Sequence, residues 1–236
     1  MIIARSLGLL FIKTMKTAGT SIEIALSPYL QDGDFASPLE PDEEQQRSGK
    51  NVRRAVRNMT RTLRMRSNAE EKIRYPHHGF DVAEKYFSEE IDGCHAFCVE
   101  RNPYDKAVSA FHFLYHRRNR PITDTRIQFA EFCQSPRLAS FSNFDMYTRD
   151  GELVVNEVLE YDKLDRQFSA LMGRKGINDP ALNSKTAKAG LRPRLDLDIY
   201  YGVDYELSAA RLVEHAFARE FEFFGYERPK YKESSV

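Results

Sequence analysis

Residues 16–21, which read Lys-Thr-Ala-Gly-Thr-Ser, combine residue types that bind phosphate groups. They follow the apolar segment 7–13, which we predict as a buried strand, and they precede a predicted helix. In a strand–loop–helix unit, backbone N–H groups at the helix start face a bound anion, and the helix dipole favours negative charge there. Gly19 allows the backbone to approach the anion closely. We therefore predict an anion site formed by Lys16, Thr17, Ala18, Gly19, Thr20 and Ser21.

The order of residues in this loop differs from that in the phosphate loop of nucleotide hydrolases and kinases. That loop has a lysine directly after its second glycine, whereas here Lys16 precedes Gly19, the sole glycine of the segment. The sequence also lacks the carboxylate clusters that hold magnesium at a transferring phosphate, so we expect no metal. Two alternatives stay open: a P-loop-like small-molecule kinase and a non-catalytic protein that binds a nucleotide.

A second candidate anion site begins at Arg101. Residues 95–100 are predicted as a core strand, and Asn102 and Pro103 suit the cap and the first position of the helix that follows. An arginine at the end of a core strand reaches ligands at the carboxyl edge of the sheet. Ser109 lies two turns into the helix and supplies a further donor. The chain thus offers two anion sites on successive strand–loop–helix units.

These two segments resemble the phosphate motifs of sulfotransferases that use 3′-phosphoadenosine 5′-phosphosulfate (PAPS). Residues 16–21 resemble the loop for the 5′-phosphosulfate, and residues 101–109 resemble the motif for the 3′-phosphate. The variant is similar to the carbohydrate branch, which includes heparan sulfate 2-O-sulfotransferases and related bacterial proteins. Weaker likenesses follow at residues 160–164, 183–185 and 221–226.

The resemblance implies transfer of a sulfonyl group from PAPS to a hydroxyl, expected to belong to a carbohydrate. It also implies an α/β fold, a P-loop-like three-layer domain with a central parallel sheet flanked by helices. By the same resemblance, the loop from Lys16 to Ser21 holds the 5′-phosphosulfate, and Arg101 and Ser109 hold the 3′-phosphate. Lys185 falls in a segment that resembles a loop near the cofactor.

Sulfonyl transfer needs a base for the proton of the acceptor hydroxyl and a cation for the leaving oxygen. Lys16 is the predicted cation. Related carbohydrate sulfotransferases place a catalytic histidine in a loop comparable to the one that holds His77 and His78. Of the two, His78 matches that pattern better and His77 is second. Glu23 is a reserve base, whose alternative role is a favourable interaction with the start of its own helix.

The strand and helix patterns predict one domain over residues 1–236, with a basic helical insertion near 45–70. Residues 31–50 are predicted as an exposed connection, and the last strong helix is predicted near 206–224. In the insertion, basic residues recur at helical spacing without an acid between them. We hypothesise that this helix lines a cleft for an acidic or already sulfated saccharide. The alternative is a solvated helix paired with the acidic residues before it.

The nature of the acceptor stays open at this stage. The family often has a glutamine after a histidine and a proline near residues 140–147, whereas this chain reads Ser-Phe-Ser-Asn-Phe-Asp over 140–145. A sugar, a lipid-linked sugar and a small alcohol are all compatible with the sequence.

The composition sets limits on partners and location. The 236 residues carry 35 Lys plus Arg and 35 Asp plus Glu, a formal net charge of zero, so we expect no nucleic-acid partner. No apolar run approaches the roughly 20 residues of a membrane-spanning helix. Three cysteines argue against a disulfide framework. We expect a bacterial cytoplasmic protein, or a Golgi luminal one if an anchor was removed.

Overall fold

The chain is described by a computed structural model that covers residues 1–67, 77–178, 180, 182, 196–201 and 209–227. These residues fall into two compact units. The first comprises Met1–Glu100 and Asp145–Ala187, and the second comprises Arg101–Phe144 and Lys188–Val236. The prediction of a single domain stays a prediction.

The secondary structure alternates short strands with helices. The strands are β1 (Ile2–Ala4), β2 (Leu9–Phe11), β3 (Phe35–Ala36), β4 (His95–Glu100), β5 (Thr148–Arg149), β6 (Glu152–Leu153) and β7 (Glu157–Glu160). The α-helices are α1 (Gly19–Leu26), α2 (Pro41–Glu44), α3 (Val52–Arg66), α4 (Phe80–Ile91), α5 (Pro103–Arg117), α6 (Thr125–Gln134), α7 (Phe144–Tyr147), α8 (Leu164–Gly173), α9 (Asp198–Tyr201), α10 (Ala209–Ala216) and α11 (Ala218–Phe224).

The main sheet of the first unit has five strands within the described residues, in the order β3-β1-β2-β4-β7. β2, β4 and β7 run parallel, with Leu10 opposite Ala96 and Val99 opposite Leu159. β1 is antiparallel to both β2 and β3. The fold is thus a mixed α/β fold with helices flanking the sheet. The prediction of a wholly parallel central sheet is wrong at the edge formed by β1 and β3.

The opening apolar segment forms two strands where the sequence predicted one over residues 7–13. β1 and β2 pair as a hairpin with Ala4 opposite Leu9. The polar residues Arg5 and Ser6 form the connecting 3-10 turn, and Gly8 ends it in the left-handed region at φ 59°. A four-residue reversal within an apolar stretch leaves each strand too short to show its own periodicity, which explains the error.

One hydrophobic core joins the sheet of the first unit to its helices. The ring centroids of Phe11 in β2 and Phe97 in β4 are 5.1 Å apart. The ring of Phe168 in α8, the helix that follows β7, lies 6.5 Å from that of Phe97. α3 lies along β3 and buries Val52 and Ala55 in the same core. The predicted exposed connection over 31–50 is therefore partly wrong, because it contains the buried strand β3.

The second unit is built from helices around aromatic side chains. α5 starts as predicted, because the Asn102 side chain accepts a hydrogen bond from Tyr104 N and Pro103 occupies the first position. Phe129 of α6 contacts Tyr200 and Tyr201 of α9 at ring distances of 5.3 and 5.2 Å. The predicted helix near 206–224 is divided, since Phe217 between α10 and α11 has non-helical angles.

The described residues contain neither a membrane-spanning helix nor a group of metal ligands. No helix there is long and apolar enough to cross a membrane. No group of three or more His, Cys, Asp or Glu side chains in those ranges is arranged to hold a metal ion.

Candidate functional site

The loop between β2 and α1 has a backbone shape that non-glycine residues rarely adopt. Lys16 and Ala18 both have φ of 62°, at a cost of roughly 1–3 kcal/mol each. Left-handed residues alternating with others turn successive N–H groups toward one side and form anion-binding concavities. Ala18 occupies the N-cap position of α1 and, as an alanine, supplies no side-chain acceptor for the first N–H groups of the helix. The loop is thus shaped for an anion at the helix start.

Gly19 is required by its contact with Lys13. A Cβ atom at position 19 would lie 2.7 Å from the Lys13 Cγ atom, closer than packed atoms come. The aliphatic part of Lys13 therefore packs against the loop at Gly19, and Lys13 as a whole is only 3% exposed. The sequence assigned Gly19 to the anion alone, and the structure adds a packing reason for the same residue.

The hydroxyl of Thr17 is used inside the loop. Thr14 Oγ1 donates to the carbonyl of Val99 in β4 at 2.5 Å, and it lies 2.7 Å from Thr17 Oγ1. Because the Thr14 hydrogen goes to Val99, Thr17 is the donor between the two hydroxyls. The Thr17 side chain therefore ties the loop to β4.

A buried group of charges lies directly behind the loop. The carboxylate of Glu23 on α1 is fully buried and accepts from Lys13 Nζ at 2.6 Å and from the amino group of Met1 at 3.0 Å. Arg47 Nη2 lies 3.5 Å from the same carboxylate. Burial alone would raise the pKa of Glu23, but the three cations outweigh it and hold that pKa below its ordinary value.

This charge cluster changes the interpretation of Glu23. The Glu23 carboxylate has no exposed surface and already binds Lys13 and the Met1 amino group, so it cannot reach an acceptor hydroxyl, and the structure favours an architectural role over the reserve base. Lys13 and Arg47 were not singled out from the sequence. Lys13 ends an apolar run and Arg47 follows an acidic segment, so both have the local pattern of solvated charges. Their shared partner on α1 is visible only in three dimensions.

His77 is held against the end of β2. Its Nδ1 atom lies 3.0 Å from the carbonyl oxygen of Lys13. A carbonyl only accepts, so Nδ1 carries the hydrogen and Nε2 keeps its lone pair. Burial lowers the pKa of His77 to about 4, against the smaller raising effect of that hydrogen bond. The imidazole is therefore neutral at pH 7, with Nε2 as its proton-accepting atom.

His78 is the more deeply buried of the two histidines, with 3% of its surface exposed. The next residue, Gly79, packs against the backbone of Met146, where a Cβ would approach Met146 Cα to 3.1 Å. The segment 77–79 is thus fixed at both ends within the first unit. His77 keeps partial exposure, which makes it the better placed of the pair to meet an incoming group.

Arg101 and Ser109 belong to the second unit, where Arg101 precedes the start of α5 and Ser109 lies two turns into that helix. Arg101 follows β4 directly in the chain, is 8% exposed, and binds the Asp105 carboxylate through Nε and Nη2, each at 2.5 Å. Asp105 and Ser109 are four residues apart on α5, so they share a helix face. Asp105 fixes the direction of the guanidinium. Lys185, the remaining predicted cofactor residue, lies outside the described residues.

Comparison with known proteins gives one informative relative. The chain is 32% identical over 90 residues to a protein of Archaeoglobus fulgidus whose description is "Uncharacterized protein", a match that covers 37% of this chain and 72% of the relative. At that identity and coverage of the relative, the chain belongs to the same family as the archaeal protein. No protein-family model matches the sequence. No solved structure matches it either.

Proposed function

We propose that the protein is a PAPS-dependent sulfotransferase that transfers a sulfonyl group to a hydroxyl, expected to be that of a carbohydrate. The carrying observation is the loop of residues 16–21, which is strained, lacks a side-chain cap and stands between the parallel strand β2 and α1. Arg101, oriented by Asp105 at the start of α5, supports a second phosphate contact. We propose further that the α/β fold is of the P-loop-like three-layer kind.

In this proposal each group has one task. The loop residues Lys16, Ala18, Gly19, Thr20 and Ser21 bind the 5′-phosphosulfate through N–H groups, hydroxyls and one ammonium. Arg101 and Ser109 bind the 3′-phosphate. As the acceptor oxygen bonds to sulfur, the bond from sulfur to the 5′-phosphate oxygen breaks, and Lys16 offsets the charge that the phosphate gains. The products are a sulfate ester and 3′,5′-adenosine bisphosphate.

The acceptor must lose its hydroxyl proton, and His77 is the proposed base. Its Nδ1 hydrogen is committed to the Lys13 carbonyl, so Nε2 accepts the proton. This reverses the order expected from the sequence pattern, which favoured His78. His78, nearly without exposed surface, is proposed to support the loop.

Calorimetric titration of the chain with 3′,5′-adenosine bisphosphate, without metal, tests the proposal. We expect micromolar affinity, and a loss of affinity of about tenfold to a hundredfold in Arg101→Ala and in Lys16→Ala, since a charged hydrogen bond to phosphate contributes about 1.5–3 kcal/mol. Adenosine 5′-monophosphate should bind the native chain and Arg101→Ala equally, because it lacks the 3′-phosphate.

Arg126→Ala is the matched control, since Arg126 is an exposed arginine on α6. It should bind the bisphosphate as the native chain does. Absence of bisphosphate binding would contradict the proposal. Preference for ATP with magnesium would instead favour the kinase alternative.

A further inference from the structure

A cavity of about 230 Å³ in the second unit combines cationic and aromatic walls. It lies between the ends of α5 and α6. Its lining is formed by Leu114, Tyr115, Arg118, Arg120, Glu131, Phe132, Ser135 and Arg137. None of these residues was assigned to the phosphate sites described above.

The three arginines of the cavity are carried on two hydrogen-bonded turns. At the end of α5, Asn119 adopts φ 50°, and Arg120 N donates back to the Tyr115 carbonyl at 2.9 Å. Beyond α6, Leu138 N donates to the Ser135 carbonyl at 3.1 Å and closes the turn that contains Arg137. The positions from which the guanidinium groups extend are thus defined by the backbone.

The charges of the cavity are not balanced by the protein. Over the described part of the chain, Arg118, Arg120 and Arg137 form no ion pair with a carboxylate, and neither does Glu131. Three arginines and one glutamate give an excess of two positive charges. Like charges brought together repel one another, and a bound dianion would remove that repulsion.

The other wall of the cavity is apolar and rigid. The Phe111 ring packs against Tyr115 at 4.5 Å and against Phe132 at 6.0 Å, so two lining rings share one buried support. Such a wall contacts the organic part of a ligand, while guanidinium groups bind an oxyanion through parallel N–H donors.

We propose that this cavity binds a small organic phosphate monoester. A phosphate monoester carries about −1.5 to −2 charge at pH 7, which matches the excess of two positive charges, and its organic group would pack on Tyr115 and Phe132. The inference does not rest on the proposed sulfotransferase activity, because the cavity shares no residue with the loop of residues 16–21 or with Arg101 and Ser109.

The test is a residue-resolved NMR titration of the full chain with phenyl phosphate, with phenyl sulfate and inorganic phosphate as comparison ligands. Phenyl phosphate should produce saturable shifts of the amides over 114–120 and 131–138. It should bind about tenfold more tightly than either comparison ligand, because only it combines two charges with a ring.

Charge variants complete the test. Arg120→Gln and Arg137→Gln should each weaken phenyl phosphate binding about tenfold, and Glu131→Gln should strengthen it about threefold. Arg117→Gln is the control, since Arg117 lies over the Phe113 ring and does not line the cavity. Equal weakening in Arg117→Gln, shifts confined to residues 16–21, or no saturable shift would overturn the proposal.

Discussion

At the scale of single residues, the site depends on groups that do not touch a ligand. Glu23 gathers Lys13, Arg47 and the Met1 amino group behind the loop. Lys13 in turn supports Gly19 and offers its carbonyl to His77. Through these contacts, one buried carboxylate links the loop of residues 16–21 to the segment that holds His77. Changes at Glu23 should therefore act on stability before they act on chemistry.

Replacing Glu23 by glutamine should destabilise the fold by about 3–5 kcal/mol, because removal of one partner leaves buried charges uncompensated. Chemical denaturation measures the loss. Glu222→Gln on the exposed side of α11 is the control and should stay within about 0.5 kcal/mol of the native value. Lys13→Met should cost less in the Glu23→Gln background than in the native chain. A loss as small as that of the control would show that the carboxylate is dispensable.

Protonation of His77 should make the free energy of unfolding depend on pH. Its folded pKa is about 4, below the ordinary value of 6.5, so the unfolded chain binds the proton more readily. The associated stability is fully present above about pH 6.5 and is lost as the pH falls toward about 4. His77→Asn keeps a side-chain N–H donor and cannot take up this proton, so its unfolding free energy should change less over that range.

Urea unfolding at a series of pH values measures this difference. His116→Asn, an exposed position near the end of α5, should keep the native pH dependence. Identical pH profiles for the native chain and His77→Asn would contradict the assignment of a buried neutral imidazole.

At the scale of secondary structure elements, α3 has two different sides. Its apolar side, with Val52, Ala55, Met59 and Leu63, is buried. Its exposed side carries Arg53, Arg57, Arg61 and Arg64, for which the described residues provide no ion pair. These four span twelve residues, eleven helical steps or about 17 Å of helix. Arg54 differs, since it pairs with Asp32 at 2.9 Å. The alternative of a solvated helix paired with the acidic residues before it therefore accounts for Arg54 but not for these four arginines.

If the acceptor is an acidic saccharide, the unpaired arginines of α3 should set its affinity. The triple change Arg53→Gln, Arg57→Gln and Arg61→Gln should raise the acceptor KM about tenfold, leave kcat unchanged, and lose this effect at high salt. Steady-state sulfotransferase kinetics with an acidic and a neutral saccharide measure it. Three exposed arginines elsewhere, changed in the same way, form the control: Arg5, Arg126 and Arg166. No difference between the triple variants would end the acceptor hypothesis.

At the scale of the whole molecule, the formal net charge is zero although individual surfaces are strongly cationic. The exposed face of α3 and the cavity between α5 and α6 are both cationic, and acidic residues elsewhere cancel them in the sum. Long-range attraction of polyanions should accordingly be weak, whereas binding at each basic surface should depend steeply on salt.

Several parts of the fold followed from the sequence because their signals are local. β4 and the capped start of α5 both rest on neighbouring residues. The hairpin of β1 and β2 was missed because its strands are three residues long. The burial of Arg47 was missed for another reason, since its partner Glu23 lies 24 positions earlier and the segment between them has the composition of a surface loop. Sequence patterns report neighbours along the chain, and these features depend on neighbours in space.

The left-handed backbone at Lys16 and Ala18 has a consequence for when the loop acquires its shape. The free-energy cost of the left-handed conformation at these two residues is part of folding, so ligand binding does not incur it again. Loop rearrangement should then add no delay to capture, whose speed would depend on diffusion and on charge. A glycine at position 18 would relieve the backbone strain and make the free protein more stable. It would also allow the loop to sample several conformations. If residues 16–21 bind the 5′-phosphosulfate as proposed, Ala18 lowers the stability of the free protein but keeps the loop in its binding conformation before the ligand arrives.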